Sequence, residues 1–243
     1  MKQGFFEIRE NIPLTENVFK MTLEGDCSAI TAPGQFVNIK LGGLYLRRPI
    51  SVCDAEDGRL TLIYKVVGKG TEKMSLMKAG TLDILSGLGN GYDLEKSGCS
   101  PLLIGGGVGV PPLYLLAKEL IKQGKKATAI LGFNTKSEIF YEKEFGALGC
   151  EVKVATADGS YGIKGFVTDA LGGISYTHVY TCGPEPMLRA VYKSISTSGQ
   201  FSFEERMGCG FGACMGCTCK TVAGYKRICR DGPVLFKEEI NFD

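Results

Sequence analysis

Four cysteines near the end of the chain have the types and spacing of a metal-cluster site. Cys209, Cys214 and Cys217 follow the order C-x4-C-x2-C, and eleven residues separate the third from Cys229. Soft thiolates suit iron–sulfur clusters, and this triplet is one of the spacings that hold a [2Fe–2S] cluster. Zinc sites usually add a second cysteine pair or histidines, whereas the sole histidine, His178, lies elsewhere in the sequence. The spacing therefore favours a [2Fe–2S] cluster over a zinc site or unliganded thiols.

Glycines and one further cysteine lie among these thiols. The glycines let the backbone wrap closely, so that amide N–H groups approach the sulfur atoms; they are Gly208, Gly210, Gly212 and Gly216. Such N–H groups and solvent access set the reduction potential of a cluster. Cys219 is close enough in sequence to be a rival ligand. Because the triplet already supplies three thiolates and Cys229 a fourth, we interpret Cys219 as a neighbour.

A segment in the first half of the chain carries groups suited to a phosphorylated ring compound. It reads Arg-Arg-Pro-Ile-Ser over residues 47–51. The guanidinium of Arg48 can bind a diphosphate through two parallel hydrogen bonds. Pro49 fixes the backbone, and the Ser51 hydroxyl can bond a ring carbonyl or nitrogen. Taken alone, such a segment is more often the solvated end of a strand.

A Gly-Lys-Gly-Thr segment over residues 68–71 offers a second phosphate contact. Its glycines, Gly70 among them, allow close approach of the backbone. The helix predicted over residues 71–77 has Thr71 as its N-cap and directs its N-terminus toward an anion. Taken alone, a segment of this kind is usually a plain loop.

A glycine-rich turn in the second half follows a short buried strand over residues 101–104. Gly107, Gly109 and Pro112 form the pattern G-x-G-x-x-P, and an apolar-periodic helix continues over residues 113–123. A turn of this kind between strand and helix binds pyrophosphate. Proline suits the first helical turn, where its missing N–H costs nothing. A lone glycine fingerprint is a weak signal, and the strand–turn–helix context strengthens it.

Short strands punctuated by Gly and Pro predict an antiparallel β barrel in the first part of the chain. They are expected over residues 5–10, 18–23, 35–39 and 60–67, and a glycine turn over 87–92 closes the barrel as a plain loop or a cofactor lid. After residues 96–98, apolar runs alternate with helical patterns, which is typical of a parallel α/β domain. Its strands are expected over residues 101–104, 127–133, 152–156 and 178–181.

Composition excludes several classes of protein. A net charge of +2 argues against a nucleic-acid-binding surface or a polybasic membrane patch. Ten cysteines among 243 residues do not make a small disulfide scaffold. The N-terminal segment has no apolar signal core, and no apolar run approaches about eighteen residues. We therefore expect a reducing, cytoplasmic setting, with neither nucleic acid nor a membrane as partner.

The barrel segments together resemble the flavin domain of the ferredoxin–NADP reductase superfamily, which carries an Arg-x-Tyr/Phe-Ser strand and a Gly-Thr phosphate helix. The matching residues are Arg48, Ser51, Gly70 and Thr71. Ile50 departs from the aromatic position, although an apolar residue still shields one face of a flavin ring. Tyr64, between Ile63 and Lys65 on the next strand, is a candidate for the missing aromatic contact. The resemblance implies that the barrel binds FAD.

The second half resembles the nicotinamide domain of the same superfamily. The G-x-G-x-x-P turn is one signature, and Cys182-Gly-Pro-Glu-Pro-Met is another. A free cysteine is commonly a small buried hydrophobe, but the resemblance places Cys182 beside the nicotinamide ring, as the candidate catalytic position. His178 is expected to be a packed or surface residue, because hydride transfer between flavin and nicotinamide needs no base on the ring carbons. The absence of arginine after the second strand favours NAD, but Lys136 could reach a 2′-phosphate.

In this order, the three parts resemble the electron-transfer subunits of NAD-dependent dihydroorotate dehydrogenase of class 1B. The resemblance covers essentially the whole chain and is carried by residues 46–52, 204–217 and 229–234. The gap before Cys229 is shorter than we expect for that family. The expected domains are an FAD-binding barrel over 1–97, an NAD-binding α/β domain over 98–200 and a [2Fe–2S] module over 201–243.

The family resemblance implies a relay in pyrimidine biosynthesis. A separate FMN-containing catalytic subunit oxidises dihydroorotate, and electrons pass through a [2Fe–2S] cluster and FAD to NAD+, in an expected heterotetramer. One alternative is a related subunit of a ferredoxin:NAD(P) oxidoreductase or a sulfhydrogenase. Another is a non-catalytic binding module with a structural metal. The dihydroorotate assignment rests on family analogy, because nothing in the sequence resembles a dihydroorotate site.

Overall fold

In the computed structural model, which describes residues 1–242, six antiparallel strands close into a barrel in the order β1-β2-β5-β4-β3-β6. The strands are β1 (Lys2–Pro13), β2 (Val18–Glu24), β3 (Phe36–Lys40), β4 (Arg48–Glu56), β5 (Arg59–Lys65) and β6 (Thr81–Leu88). Alternate residues of β6 are buried, as expected for a strand with one face on a core. Asp243, the last residue of the third predicted domain, lies outside the described residues.

A short helix, α1 (Lys69–Ser75), follows the fifth strand. It begins two residues earlier than expected, with Gly68 as its N-cap, so the prediction of Thr71 as N-cap is wrong. Thr71 instead lies inside the first turn, where its hydroxyl accepts a hydrogen bond from Val67 N at 2.9 Å and donates to the Gly68 carbonyl at 3.1 Å. The threonine therefore stabilises the glycine turn from within the helix.

The second part of the chain forms a mainly parallel sheet with helices packed against it. Its strands are β7 (Pro101–Gly106), β8 (Thr128–Phe133), β9 (Glu151–Thr156), β10 (Ile163–Lys164), β11 (His178–Cys182) and β12 (Gly199–Ser202). The helices are α2 (Pro112–Lys122), α3 (Glu142–Leu148) and α4 (Glu185–Ser194). All six residues of β7 are buried, as is typical of a central parallel strand covered on both faces. Within residues 1–242, no helix combines the length and apolarity needed to cross a membrane.

The C-terminal part adds a hairpin, a helical turn and one more strand. They are β13 (Thr218–Thr221), β14 (Gly224–Arg227), α5 (Ile228–Asp231) and β15 (Val234–Phe236). Strand β15 pairs antiparallel with β12, so the seven-stranded sheet has the order β10-β9-β8-β7-β11-β12-β15. The expected boundary after residue 200 falls inside β12, and the last strand of the sheet comes from the third segment.

The glycine turn after β6 joins the barrel to the last strand. Asn90 N donates to the Gly232 carbonyl at 2.7 Å, and Asn90 Nδ2 donates to the Val234 carbonyl at 2.7 Å. The Asn90 side-chain oxygen accepts from Val234 N at 3.1 Å. These bonds make the segment a structural junction rather than a lid over a cofactor.

The buried aromatic ring of Phe201 is the basis of a stability prediction. Phe201 on β12 is 0 % exposed and packs in one apolar cluster with Cys217 and Cys229. We expect Phe201→Ala to lower the free energy of unfolding by about 3–5 kcal/mol, because the lost ring leaves a cavity in a packed core. Chemical denaturation measures the change. Phe5→Ala, which removes a ring that is 72 % exposed, should change stability by less than about 0.5 kcal/mol. Equal losses in the two variants would contradict the prediction.

Candidate functional site

The four predicted cluster cysteines lie together as two pairs. Cys209 N donates to Cys214 Sγ at 3.4 Å, and Cys214 N returns a bond of 3.4 Å to Cys209 Sγ. Cys229 N donates to Cys217 Sγ at 3.4 Å. Within residues 1–242, no three His, Cys, Asp or Glu side chains converge on a single metal ion. A two-iron cluster with four cysteines needs two thiolates for each iron, and the two pairs fit that requirement.

The outer pair is partly exposed and surrounded by backbone donors. Cys214 is exposed and Cys209 is half-buried. Cys209 Sγ also accepts from Phe211 N at 3.5 Å and from Ala213 N at 3.2 Å. Burial opposes ionisation of Cys209, but the backbone N–H groups outweigh it and lower its pKa to about 6. The loop is therefore shaped to stabilise a thiolate, which is the form that binds iron.

The inner pair lies in the protein interior. Cys217 and Cys229 are each 2 % exposed, and both belong to the apolar cluster that contains Phe36 of the barrel. Burial, reinforced by the neighbouring Cys217 thiol, raises the pKa of Cys229 to about 12. Iron must displace the proton of Cys229 when it binds, so loading of this pair depends on pH.

Polar contacts fix the cluster loop to its surroundings. Asn38 on β3 donates from Nδ2 to the Cys209 carbonyl at 3.1 Å, which joins the loop to the barrel wall. Arg227 Nη1 donates to the Gly212 carbonyl at 3.0 Å, while Arg227 Nε pairs with Asp231 at 3.0 Å. These bonds hold the outer pair between the barrel and the C-terminal hairpin.

Cys219 lies on the hairpin strand β13, opposite Lys226. It is half-buried, and burial raises the pKa of its thiol. None of the sulfur hydrogen bonds that join the two cysteine pairs involves Cys219. The arrangement supports the interpretation of Cys219 as a neighbour of the cluster.

The Arg48 side chain crosses the start of α1. A Cβ atom at Gly70 would collide with Arg48 Nε, so the guanidinium can lie there only because residue 70 is glycine. Arg48 Nη1 donates to the Leu46 carbonyl. Arg47 is instead engaged with Asp83 at 3.0 Å. Arg48 is therefore the arginine of the pair that stays available for a diphosphate, and its contact with Gly70 fits a phosphate cradle.

The β4 residues predicted to hold the flavin are partly open to solvent. Residues 48–51 are each half-buried, and Ile50 contributes an apolar side chain there. The expected aromatic contact from Tyr64 is wrong, because its ring is 2 % exposed inside the barrel and stacks on Phe19 at 6.0 Å. Tyr64 Oη donates to Asn11 Oδ1 at 3.0 Å. Only the backbone of residue 64 remains as a contact, and Ile63 is also buried in the core.

A cavity of about 610 Å³ lies between the barrel and the carboxyl ends of the parallel strands. Asn17, Val18 and Lys65 line it from the barrel side, and the turn after β7 lines it from the sheet side. Ligands of doubly wound sheets bind outside the carboxyl ends of the strands, and this volume suits a small organic ligand. The cavity therefore joins the predicted flavin barrel to the predicted pyrophosphate turn.

The predicted pyrophosphate turn packs directly on the end of β11. A Cβ atom at Gly109 would collide with the Cys182 carbonyl, so the turn reaches its position only with glycine there. Gly107 and Gly109 line the cavity, and Pro112 is the buried first residue of α2. The Cys182 thiol lies behind the cavity wall, is 2 % exposed, and has its pKa raised to about 12 by burial. The predicted role of Cys182 at the nicotinamide is therefore one of packing and positioning rather than ionisation.

Sequence reasoning missed Glu204, which lines the cavity just after β12. Its side chain is exposed to the open cavity, and partial desolvation there raises the pKa of its carboxyl. An acidic residue directly after a strand at the carboxyl edge was the available signal. His178 is 3 % exposed, its pKa is lowered by burial, and its Nε2 lies 3.1 Å from Gln200 Nε2, in agreement with a packed role.

The cradle formed by Arg48 predicts how FAD is retained. Removing the guanidinium in Arg48→Ala should weaken FAD binding about 10- to 100-fold, because a charge-assisted bidentate contact is lost. The FAD content of the purified variant and its dissociation constant measure the effect. Arg59→Ala removes an exposed arginine from the same barrel and should leave FAD content unchanged. Full occupancy and unchanged affinity in Arg48→Ala would reject the assignment.

Comparison with protein families supports the organisation seen in the structure. Residues 204–241 match the family described as the iron–sulfur cluster binding domain of dihydroorotate dehydrogenase B. Residues 103–193 match the oxidoreductase NAD-binding domain. The two matched regions contain the paired cysteines and the cavity-lining turn, respectively.

Solved structures share the fold. A structure described as an NADH-dependent reduced ferredoxin–NADP oxidoreductase is 32 % identical, with a TM-score of 0.89, over 98 % of this chain and 90 % of that chain. A ferredoxin NADP+ reductase from Neisseria gonorrhoeae with bound FAD and NADP is 17 % identical, with a TM-score of 0.69, over 80 % of this chain and 90 % of that chain. The predicted fold, an antiparallel barrel plus an α/β domain with a small C-terminal module, is confirmed.

Curated relatives match along the full length. A protein of Geobacillus sp. (strain WCH70) is 44 % identical over 99 % of both chains. One of Bacillus caldolyticus is 45 % identical over 93 % of this chain and 94 % of the relative. Each is named the electron transfer subunit of dihydroorotate dehydrogenase B (NAD(+)). At this identity over nearly the full length, the chain belongs to this family of electron transfer subunits, as its sequence motifs predicted.

Proposed function

We propose that this chain carries electrons from a dihydroorotate-oxidising partner to NAD+ in pyrimidine biosynthesis. The observation that carries the proposal is the direct contact between the cluster loop and the barrel wall, through Asn38 and the Cys209 carbonyl. From the barrel, Lys65 lines the cavity that is also lined by the proposed pyrophosphate turn. A one-electron site, a flavin site and a nicotinamide site therefore follow one another within a single molecule.

The cofactors of the chain are a [2Fe–2S] cluster and FAD, with NAD as the substrate. When bound, the cluster exchanges single electrons and FAD exchanges either one or two, which joins a one-electron donor to a hydride acceptor. The protein supplies the sites that hold them. Its proposed cluster ligands are Cys209, Cys214, Cys217 and Cys229.

The proposed nucleotide contacts divide between the two larger domains. Arg48, Pro49, Ile50, Ser51, Ile63, Tyr64, Lys65, Gly70 and Thr71 are assigned to FAD, residues 63 and 64 through their backbone. Gly107, Gly109 and Pro112 are assigned to NAD, with Cys182 positioning the turn beside the nicotinamide. The contact between Gly109 and the Cys182 carbonyl supports this last assignment.

We assign three domains to these tasks. Residues 1–97 form the FAD-binding barrel, 98–200 the NAD-binding domain and 201–243 the cluster module. Strand β12 extends two residues past the second boundary, and its pairing with β15 ties the last two domains together. The ten cysteines, all within the described residues, are unpaired, which supports a reducing cytoplasmic setting.

The outer cysteine pair marks the proposed entry point for electrons. Cys214 is exposed, and the neighbouring apolar side chains of Phe211 and Met215 are 44 % and 55 % exposed. Apolar groups beside an exposed redox centre suit a docking surface for a protein donor. The proposed partner is the FMN-containing catalytic subunit, in a heterotetramer.

A second candidate function is electron exchange with ferredoxin. It is favoured by the full-length similarity to the NADH-dependent reduced ferredoxin–NADP oxidoreductase structure. The two candidates differ in the electron donor. Co-purification with its catalytic partner, followed by an assay of dihydroorotate-dependent NAD+ reduction, favours the first. Reduction of NAD+ by reduced ferredoxin, without turnover of dihydroorotate, favours the second.

The ligand assignment predicts a separation of two activities. Cys214→Ser should lose the cluster, because it removes one of the four thiolates, and should lose dihydroorotate-dependent NAD+ reduction in the reconstituted complex. NADH oxidation by an artificial two-electron acceptor should survive, provided that FAD stays bound. Iron and sulfide content, the flavin spectrum and the two rates are the measurements.

Cys219→Ser is the matched control for this test. It replaces a nearby cysteine that lies outside the proposed ligand set, and it should keep its iron and both activities. Loss of iron and of the relay in Cys219→Ser, with both retained in Cys214→Ser, would show that the ligand set is wrong.

A further inference from the structure

Asn38 is a buried amide on the outer face of the barrel. Its neighbours in β3, Val37 and Ile39, are 0 % exposed and belong to the apolar cluster inside the barrel. Because side chains alternate between the two faces of a strand, Asn38 lies on the other face, where it is 1 % exposed. The cluster loop contacts it there through the Cys209 carbonyl. A polar side chain is therefore buried between the barrel and the loop.

The Asn38 side chain joins the proposed ligand segment to the proposed flavin strand. Its partner across the sheet is Pro49 of β4, and directly opposite residues of an antiparallel pair share one face. Its Nδ2 donates to the Cys209 carbonyl at 3.1 Å. A Cβ atom at Gly210, which has a φ of +79°, would collide with this same nitrogen. The loop therefore reaches the amide only with glycine after the first cysteine.

Only one half of the Asn38 amide has a partner. Within residues 1–242, its Oδ1 makes no hydrogen bond, although it is buried. A buried oxygen without a donor costs about 1–3 kcal/mol, which an apolar side chain of similar size would avoid. Such an unsatisfied group calls for an explanation, and the bond from the other half of the amide to Cys209 supplies one.

The bonded carbonyl belongs to the first of the four proposed cluster ligands. The Cys209 Sγ already accepts from three backbone N–H groups, those of Phe211, Ala213 and Cys214. The amide of Asn38 compensates the partial negative charge of the Cys209 carbonyl oxygen, which would otherwise oppose the arrival of an electron. We propose that Asn38 is a positioning residue, which holds Cys209 against the flavin strand and raises the reduction potential of the cluster.

This inference rests on the proposed function, because it assigns a task to a residue beside the proposed cluster. Asn38→Leu removes the amide at similar volume and leaves the Cys209 carbonyl without its donor. We expect the equilibrium constant for one-electron reduction of the cluster to fall about tenfold, which is about 59 mV for one electron. A redox titration followed by the EPR signal of the reduced cluster measures the potential without turnover.

Asn38→Ala is a second variant at the same position. It removes the same donor but leaves space in which a water can bond the Cys209 carbonyl. Its reduction potential should therefore lie between those of the wild type and Asn38→Leu. Both variants should release iron to a chelator at least about threefold faster, because the loop loses its bond to the barrel. Either variant alone carries the test if the other does not fold.

Asn11→Ala is the matched control. Asn11 is a second buried amide of the same barrel, 4 % exposed, and its Nδ2 donates to the Met74 and Met77 carbonyls at 2.8 Å. Its removal should lower the stability of the barrel, because those carbonyls lose their donor. The reduction potential of the cluster and its rate of iron release should equal those of the wild type.

Two outcomes would overturn the inference. An unchanged reduction potential in the Asn38 variants would leave the amide as a packing group only. An equal shift in Asn11→Ala would make the effect one of a loosened barrel. Absence of any [2Fe–2S] signal from the reduced, iron-loaded wild-type protein would instead reject the proposed function, so the two failures are distinguishable.

Discussion

The hydrogen bonds of Asn90 hold the three parts of this molecule in register. Its backbone N and its side-chain amide together make three bonds to residues 232–234, at 2.7, 2.7 and 3.1 Å. Each such bond contributes only about 0.5–1.5 kcal/mol net, but breaking them would leave buried polar groups unsatisfied. Because the segment begins at the end of a barrel strand and reaches the last strand of the sheet, it helps to set the distances between the proposed sites. The cluster loop, inserted between β12 and β15, is held to the same frame.

Burial divides the four thiols into two unlike environments. The outer pair has backbone donors and solvent contact, while the inner pair belongs to the same apolar cluster as the barrel residue Phe36. An exposed side and a buried side are what a one-electron carrier needs, because a partner must approach one side and the next carrier must lie beyond the other. The loop that carries the outer pair is held by side chains of Asn38 and Arg227, which donate hydrogen bonds to backbone carbonyls of the loop.

Local sequence patterns predicted most of the fold. Alternating apolar residues, with Gly or Pro between the strands, predicted the barrel and the α/β domain, because these periodicities depend only on residues close together in the chain. The cysteine spacing singled out four thiols for the same reason, and the structure arranges them as two pairs; their role as cluster ligands stays a prediction. The N-cap at Thr71 was wrong by a few residues, since several residues near a helix start can satisfy the same donors.

The features that could not be predicted from the sequence depend on the direction in which side chains point. Tyr64 was expected to face a flavin, but strand register turns it into the barrel, where Asn11 gives its hydroxyl a partner. Glu204 was not singled out, because a carboxylate directly after a strand becomes an informative signal only when the positions of the neighbouring strands are known. The three-residue strand β15 was also too short to show periodicity, and its partner lies more than thirty residues earlier.

The antiparallel pairing of β15 with β12, at the edge of the sheet, has a consequence for folding during synthesis of the chain. Strand β12 leaves the ribosome before the cysteine loop, and its outer edge gains a partner only when residues 234–236 follow. Until then, the nascent nucleotide-binding sheet has an open strand edge, which invites pairing with other chains. The segment that must capture iron is also the segment that delivers the closing strand. The last segment of the chain therefore supplies both the cysteines and the strand that covers this edge, and a chain cut just before its cysteines would lack both.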